Sequence, residues 1–173
     1  MSGLGTENTG IVWFDGHGEA TTPETTRSGF LDGMPISILL GRAWQTLAKT
    51  VPGFSPIPGK RILLFGVRDL EAVEITLLED AGVQQMATVE ELSKVMPTLA
   101  KSVEKVYVHV DLDVLDPSVA RSNQWTQPNG ISLETLIQAI RGVKNHAKIA
   151  ALGVASYDPE VDRDGRALAA AGL

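Results

Sequence analysis

Two segments of this sequence carry metal-ligand side chains at every second position, beside apolar runs. Asp15, His17 and Glu19 form one group, and Asp111 and Asp113 form the other. Side chains alternate between the two faces of a strand, so ligands two and four positions apart project the same way. Carboxylates crowded at neighbouring strand ends repel one another unless a cation lies between them. The pattern therefore predicts a two-part metal site.

The elements that must position these side chains alternate between short apolar runs and helical patterns. The predicted strands are Ile11–Asp15, Arg61–Val67, Val83–Ala87, Val106–Asp113 and Ile149–Tyr157. The predicted helices are Met34–Lys49, Asp69–Ala81, Val89–Lys101, Leu133–His146 and Gly165–Ala171. Three helix starts are predicted from Asp69, from Thr88 in a capping box and from Ser132, and Gly82 is predicted as a C-cap.

The repetition of strand, helix and strand predicts an α/β fold, a three-layer α/β/α domain with a parallel sheet of about five strands. Continuously apolar strand interiors such as Ile62–Phe65 are typical of strands covered on both faces. Two loops, residues 18–33 and 116–130, directly follow the strands that carry the ligand-type residues. In open α/β sheets, ligands bind beyond the carboxyl ends of the strands, so the predicted loops and the predicted site agree in position.

Size and composition restrict the class of protein. The chain has 173 residues, which predicts a single domain over residues 1–173. Its formal net charge of -6, without a basic cluster, argues against a nucleic-acid or membrane-surface partner. The absence of cysteine excludes disulfides and thiolate metal ligands. Because the sequence shows neither a signal peptide nor an apolar run of the roughly 20 residues that a membrane span needs, we expect a soluble, cytoplasmic protein.

The ligand-bearing segments resemble the signature motifs of the ureohydrolase family, which includes arginase, agmatinase and formiminoglutamase. The family's Asp-Ala-His-x-Asp appears here as the segment from Asp15 to Glu19, followed by a Thr-Pro pair at 22–23. Its Ser-x-Asp-x-Asp-x-x-Asp-Pro appears as residues 109–117, and its Glu-Val-Asn-Pro as residues 156–159. Nearly the whole chain is similar to the C-terminal two-thirds of such a protein. The resemblance implies an arginase-like fold whose N-terminal portion is absent.

The resemblance also implies a chemistry. In that family, two manganese ions are bridged by carboxylates and by a hydroxide, which attacks the central carbon of a guanidinium or amidine group. Two cations lower the pKa of the bridging water and stabilise the tetrahedral intermediate, and hard oxygen ligands with imidazole suit manganese. By resemblance, the metal ligands are Asp15, His17, Glu19, Asp111 and Asp113. The expected cofactor is two Mn²⁺ ions, or one or none if the site is incomplete.

Four positions depart from the family pattern. Glu19 stands where Asp is usual, and Asp32 stands where the family has a histidine. His109 replaces the signature serine, and Ser156 replaces the acid that pairs with a guanidinium substrate. The family's Gly-Gly-Asp-His segment, whose histidine completes the ligands of one metal, lies before the part that this chain resembles. Without an acid at Ser156, a cationic substrate lacks one counter-charge.

Several side chains near the predicted site have more than one interpretation. Asp32 either transfers protons in place of the family's histidine or forms part of a turn. His109 is a substitute metal ligand, a group that orients Asp111, or a buried neutral histidine. Because two residues along a strand span roughly 6.6 Å, the last two interpretations are favoured. Asn123 and Trp125 line a substrate pocket, or the tryptophan packs on its own loop.

Two functions follow as hypotheses. The first is a manganese-dependent hydrolase that acts on linear amidine or guanidino C–N bonds of a small molecule through a metal-activated hydroxide. Asp32 and His109 are then candidate catalytic residues, and Ser156, Asn123 and Trp125 are candidate substrate contacts. The second is a catalytically silent or truncated family member that serves as an interaction or assembly module. With the N-terminal portion absent, strand 149–157 would lie at a sheet edge, which predicts a homo-oligomer or another chain that covers this edge.

Overall fold

The computed structural model describes residues 2–172 and is built around a five-stranded parallel sheet. The strands are β1 (Thr9–Phe14), β2 (Ile62–Phe65), β3 (Gln84–Met86), β4 (Lys105–Asp111) and β5 (Ile149–Ala155). Their order is β3-β2-β1-β4-β5, and every neighbouring pair is parallel. The predicted sheet is therefore confirmed, and the two strands that carry the ligand-type residues, β1 and β4, are neighbours at its centre.

Helices cover both faces of this sheet. They are α1 (Pro35–Leu39), α2 (Gln45–Ala48), α3 (Ala72–Ala81), α4 (Val89–Ser102), α5 (Leu133–His146) and α6 (Arg166–Ala171). Val12 and Phe14 of β1 pack in a core with α4, α5 and α6, whereas Ile11 and Trp13 pack in a second core with α1 and α3. Alternation along one buried strand thus produces the predicted three layers. No helix between residues 2 and 172 is both long and apolar enough to cross a bilayer.

Three predicted helix boundaries are confirmed by hydrogen bonds or backbone conformation. Thr88 Oγ1 accepts a 3.2 Å bond from the Glu91 N–H, within a capping box at the start of α4. Ser132 Oγ accepts a 3.0 Å bond from the Thr135 N–H at the start of α5. Gly82, with φ of 74°, ends α3 in the left-handed conformation that glycine favours.

The predicted continuous helix Met34–Lys49 is wrong, because the chain forms α1 and α2 with a turn between them. Gly41 has φ of 71°, and the N–H groups of Arg42 and Ala43 both return to the Ser37 carbonyl. A Cβ at position 41 would lie 2.7 Å from Pro56 Cγ, so this position has no room for a side chain. The helical periodicity of the sequence does not show this turn.

The predicted helix start at Asp69 is also wrong. The N–H groups of Arg68 and Asp69 each donate a 3.0 Å bond to the Gly16 carbonyl, which keeps this segment extended beside the loop after β1. Helix α3 begins at Ala72 instead, and the Glu71 N-cap forms a capping box with Glu74. Asp69 is therefore free to lie near the carboxyl ends of the strands.

Strand β5 lies at one edge of the sheet and pairs only with β4 within residues 2–172. It is less covered than β1, β2 and β4. Leu152 is 47% exposed and Val154 is 39% exposed, although both are apolar and project from the same face. The expected edge position of this strand is confirmed. An apolar edge strand is a common site of association with another chain.

Candidate metal centre

A cavity of about 480 Å³ lies at the carboxyl ends of β1 and β4. All the side chains that the sequence predicted for the site line it, namely Asp15, His17, Glu19, Asp32, His109, Asp111, Asp113, Asn123, Trp125 and Ser156. They come from the predicted loops and strand ends, where ligands bind in open α/β sheets. The fold therefore brings the predicted residues together, while their individual roles stay predictions.

The loop after β1 directs three ligand-type groups to one point. β1 ends at Phe14, one residue before the predicted end of the strand, so Asp15, His17 and Glu19 all belong to this loop. One ligand atom from each of the three lies within 4.8 Å of the others. Asp15 is 1% exposed, and its oxygens accept 2.8 Å bonds from Trp13 Nε1 and from the His17 N–H. Both oxygens of Asp15 are thus oriented by neighbours on its own segment.

Glu19 has two unfavourable features. Its φ is 52°, a left-handed conformation that costs energy for a residue with a side chain. Its Oε2 is buried without a hydrogen-bond partner among the described residues. Strain and buried unpaired oxygens are typical of functional sites, because a ligand can compensate for them. A cation beside Glu19 Oε2 would supply the missing partner.

The turn after β4 contributes the other two carboxylates. β4 ends at Asp111, whose Oδ1 accepts a 2.9 Å bond from the Asp113 N–H and whose Oδ2 accepts a bond from the Ser156 hydroxyl. Asp113 Oδ1 accepts a 3.0 Å bond from the Gly16 N–H, and its Oδ2 accepts a 3.3 Å bond from Asn123 Nδ2. Donors from three other segments therefore fix the direction of both side chains.

His17 is the cationic group of the cluster. Its Nδ1 lies 3.2 Å from Asp113 Oδ2 and 3.5 Å from Asp15 Oδ1. The hydrogen bonds with Asp113 and Asp15 outweigh burial and raise the pKa of His17 to about 11. Burial alone would raise the pKa of Asp113, but its hydrogen bond with His17 and the charge of His17 lower it to about 2. This pair is therefore ionised.

The pKa values of the remaining carboxylates are shifted in the opposite direction. Burial raises the pKa of Asp15, raises that of Glu19 to about 9 and raises that of Asp111 to about 8, and the neighbouring carboxylates add to each shift. The protein alone thus does not provide enough positive charge for all of these acids. Bound divalent cations would replace the protons and allow the carboxylates to ionise.

The donor set fits divalent metal ions. Two groups of three residues each have ligand atoms within 4.8 Å of one another, and both groups contain Asp15. One consists of Asp15, His17 and Glu19, and the other of Asp15, His109 and Asp111. Carboxylate oxygens with single imidazoles suit hard or intermediate cations such as Mn²⁺. The unpartnered Glu19 Oε2 supports the same conclusion.

His109 lies in the wall of the cavity, stacked on Trp13 with the ring centroids 3.6 Å apart. Its Nδ1 is 3.4 Å from the Tyr107 hydroxyl, whereas Asp111 takes its hydrogen bonds from Ser156 and Asp113. Burial lowers the pKa of His109 to about 4, so its imidazole is neutral. The interpretation in which His109 orients Asp111 through a hydrogen bond is therefore not supported by these contacts.

The outer part of the cavity contains the other predicted residues. Asp32 lies in a short 3₁₀ turn, exposed to solvent. Trp125 is 52% exposed and meets Phe30 edge-to-face at 6.1 Å, so it packs across to another loop and not only on its own. Asn123 Nδ2 also donates a 3.3 Å bond to the carbonyl of Ser156, which has a left-handed φ of 63°. Asn123 therefore connects the loops that follow β4 and β5.

The segment after β2 was not predicted as part of the site. Asp69 and Glu71 line the cavity, and Asp69 Oδ2 lies 4.0 Å from His17 Nε2. Arg68 donates bonds of 2.7 Å and 2.8 Å to the carbonyls of Asp113 and Gln127. The carboxyl-end rule that identified the loops after β1 and β4 applies equally to β2 and would have found this segment. The sequence pattern instead predicts a helix start at Asp69.

Comparisons with known proteins identify similar chains. A model of the arginase family matches residues 2–173. The hepatic arginase of Aquarana catesbeiana is 30% identical over 172 residues, which cover 90% of this chain and 53% of that protein. The arginase of Entamoeba histolytica is 26% identical over 163 residues, which cover 90% of this chain and 54% of that protein. The chain therefore spans about half the length of these curated relatives.

The fold has a close match among solved structures. The arginase of Bacillus caldovelox superposes with a TM-score of 0.86 at 26% sequence identity, over 95% of this chain and 58% of that one. The five parallel strands and the covering helices are thus those of an arginase-like α/β/α fold.

Proposed function

This chain belongs to the arginase family, and we propose that it is a metal-dependent hydrolase that cleaves linear amidine or guanidino C–N bonds with manganese as cofactor. One observation supports this proposal above the others. Two groups of ligand atoms, each within 4.8 Å, converge from neighbouring strand ends and share Asp15. A shared carboxylate between two sets of ligands is the arrangement that a pair of metal ions requires.

The residues that would hold the ions are Asp15, His17, Glu19, Asp111 and Asp113. When bound, such ions act as Lewis acids that lower the pKa of water and stabilise negative charge on the reacting group. The protein keeps the ligands in position, since Asp15 and Asp113 each accept two hydrogen bonds from fixed donors. Loading requires His17 to release its proton, because Nδ1 of its ring faces Asp113 at 3.2 Å and Nε2 faces Asp69 at 4.0 Å.

The predicted proton carrier is Asp32. It lines the cavity and is exposed, so its carboxylate can exchange protons with solvent while it faces a bound substrate. Asp32 carries the role that the family assigns to a histidine at this position. Its exposure distinguishes it from the buried carboxylates that would hold metal.

The walls of the cavity suggest the substrate class. The Ser156 hydroxyl donates to Asp111, so this position presents no negative charge to a guanidinium group. Phe30 and Trp125 form an apolar, partly exposed wall at the mouth. Asp69 and Glu71 lie on the same cavity and can accept hydrogen bonds from the far end of a substrate. We expect recognition by stacking and hydrogen bonds, with neutral amidines and formimino compounds preferred over arginine.

A substrate panel tests this proposal. The protein is stripped of metal, loaded with MnCl₂ and assayed for ammonia or urea release from formimino compounds, other linear amidines, agmatine and arginine. We expect manganese-dependent turnover that is fastest with a linear amidine and lost in Asp113→Asn. Asp80→Asn, an exposed substitution on α3, is the matched control and should retain turnover. Turnover of arginine at an equal or higher rate would refute the substrate class, and the absence of turnover on every compound would refute the hydrolase.

The alternative function is that of a silent family member that acts as an interaction or assembly module. The exposed apolar face at Leu152 and Val154 on the edge strand β5 favours it. Metal analysis separates the two functions. Two equivalents of manganese retained through gel filtration support the hydrolase, whereas no retained manganese and no thermal shift with MnCl₂ support the module.

A further inference from the structure

We propose that His109 is a metal ligand, supplying the imidazole of the second ion in a centre bridged by Asp15. This inference rests on the proposed metal-dependent function and assigns a ligand that the sequence comparison alone does not favour. His109 lies on β4, opposite Trp13 of β1 in the sheet register. His109 stands where the family motif has a serine, so this chain has an imidazole at a position where the motif has a hydroxyl.

Distance is the first argument. One ring nitrogen of His109 and one oxygen each of Asp15 and Asp111 lie within 4.8 Å of one another. Metal–ligand bonds of roughly 2.0–2.6 Å place two ligands of one ion up to about 5 Å apart. A single ion can therefore contact all three groups with little movement. Although two residues along a strand separate His109 from Asp111, the side chain of His109 is long enough to bring its ring nitrogen to the carboxylates.

The tautomer is the second argument. His109 Nδ1 lies 3.4 Å from the Tyr107 hydroxyl, so this nitrogen has a hydrogen-bond partner within the protein. Nε2 is then the nitrogen available to an ion, and a metal-bound histidine commonly has its other nitrogen hydrogen-bonded in this way. The backbone leaves space for the tyrosine, because a side chain at Gly153 on β5 would collide with the Tyr107 hydroxyl.

Orientation is the third argument. The indole of Trp13 stacks on the His109 ring with an interplanar angle of 17°, which prevents the imidazole from turning out of the wall. The same indole donates its 2.8 Å hydrogen bond to Asp15 Oδ2. One buried side chain thus orients two of the three members of the group. A histidine with only a packing role would not need to present a nitrogen beside two carboxylates.

The resulting centre has a balanced set of ligands. His17 and Glu19 would serve one ion, His109 and Asp111 the other, and Asp15 both. Each ion then receives one imidazole and carboxylate oxygen. Asp113, which is held by Gly16 and Asn123 beside His17, adds a further oxygen on the His17 side.

Nuclear magnetic resonance on the wild-type chain tests the assignment directly. The sequence has 3 histidines, His17, His109 and His146, so each imidazole can be followed separately after ¹⁵N labelling. ¹¹³Cd²⁺ serves as a diamagnetic probe in place of Mn²⁺. We expect ¹¹³Cd–¹⁵N splitting at one nitrogen of His17 and at Nε2 of His109, and none at His146, which is exposed on α5.

The outcomes are distinct. Splitting at His17 without splitting at His109 would overturn this inference and leave the metal-dependent function in place. The absence of splitting at any histidine would overturn both.

Variants give a second measurement by calorimetric titration with Mn²⁺. His109→Gln should lower the affinity for the second equivalent of Mn²⁺ by at least about tenfold and leave the affinity for the first largely unchanged. His146→Gln should change neither affinity. Tyr107→Phe keeps the ring in the core but removes the hydroxyl beside His109 Nδ1. It should lower the affinity for the second equivalent of Mn²⁺ severalfold. Unchanged affinity for both equivalents in His109→Gln, with an unchanged thermal midpoint, would contradict the assignment.

Discussion

The guanidinium of Arg68 donates a 2.7 Å hydrogen bond to the backbone carbonyl of Asp113, so a residue that follows β2 holds the turn that follows β4. The same side chain donates to the carbonyls of Gln127 at 2.8 Å and Pro128 at 3.1 Å. Three carbonyls from the ligand turn and the loop after it therefore share one cation. The shape of the candidate centre depends on a side chain that would not itself contact a metal.

Replacement of Arg68 should loosen this turn. Arg68→Ala leaves several carbonyls without their charged donor, which should lower the thermal midpoint by roughly 5–10 °C and weaken Mn²⁺ binding. Arg68→Lys should recover only part of the loss, because an ammonium group cannot reproduce the planar fork. Thermal unfolding and metal titration measure both effects. Arg141→Ala, exposed on α5, is the control, and an Arg68→Ala midpoint equal to that of the control would contradict the prediction.

Trp13→Phe should separate packing from hydrogen bonding at Asp15. Phenylalanine keeps an aromatic ring beside His109 but removes the N–H that donates to Asp15 Oδ2. Loss of a bond that orients a metal ligand typically lowers affinity by about 10–100-fold. We expect this loss in Mn²⁺ titration, with a native circular dichroism spectrum. Full affinity in Trp13→Phe would mean that the His17 N–H alone orients Asp15.

The stability of the metal-free protein should fall as the pH rises from about 5 to about 9. Burial raises the pKa of Asp15, that of Glu19 to about 9 and that of Asp111 to about 8, and hydrogen bonds with Asp113 and Asp15 raise that of His17 to about 11. Across this interval these four groups bind more protons in the folded state than in the unfolded state, so each step in pH favours unfolding. His109, whose pKa burial lowers to about 4, opposes them only below about pH 6.5.

Two features make the pH prediction specific. Asp113, whose pKa is lowered to about 2 by His17 despite its burial, acts in the opposite direction, because its contribution to stability is present above about pH 4 and is lost as the pH falls to about 2. Manganese competes with the bound protons, so the increase in thermal midpoint on adding MnCl₂ should grow with pH. Midpoints measured in EDTA and in MnCl₂ at several pH values test both statements. A metal-free midpoint that rises through neutral pH would be incompatible with these pKa shifts.

Ser156→Glu should move the substrate preference towards guanidinium compounds. The substitution introduces a carboxylate beside the cavity while removing the hydroxyl that donates to Asp111. We expect the ratio of arginine to amidine turnover to increase by about tenfold, since a hydrogen bond between charged groups contributes on the order of 1.5–3 kcal/mol and solvent at this exposed position reduces that contribution. Ser156→Ala, which removes the hydroxyl without adding charge, is the matched control. An equal ratio in both variants would show that charge at this position does not select the substrate.

Strand β5 should mediate self-association, because its apolar edge is exposed. Size-exclusion chromatography with light scattering should show a homo-oligomer at high concentration. Leu152→Lys and Val154→Lys should shift it towards the monomer, since lysine is a typical residue of unpaired edges. Leu168→Lys on α6, which replaces a residue that is 58% exposed, is the control. A wild-type monomer at every concentration would contradict this prediction.

The residue types and their spacing predict the fold class and the ten side chains that meet in the cavity, although not Asp69 and Glu71. Apolar runs such as Ile62–Phe65 predict strands because their burial on both faces requires continuous hydrophobicity. The ligand-type residues follow such runs, and parallel strands end at the same edge of a sheet. Local hydrogen bonding also made the caps at Thr88 and Ser132 predictable, since both partners lie within one turn.

Only the tertiary structure decided how the ligand-type groups meet. Asp15, His17 and Glu19 lie in a loop, so strand alternation does not bring them together. The bond that Trp13 donates to Asp15 and the bond that the Gly16 N–H donates to Asp113 do so instead. The break at Gly41 arises from contact with Pro56, fifteen residues further along the chain. The nitrogen that His109 offers depends on Tyr107 and Trp13, which meet it through side-chain contacts across β4 and β1. The contacts of Trp13 with His109 and of Gly16 with Asp113 join residues that are distant in sequence, and no local pattern of residue types encodes their distances.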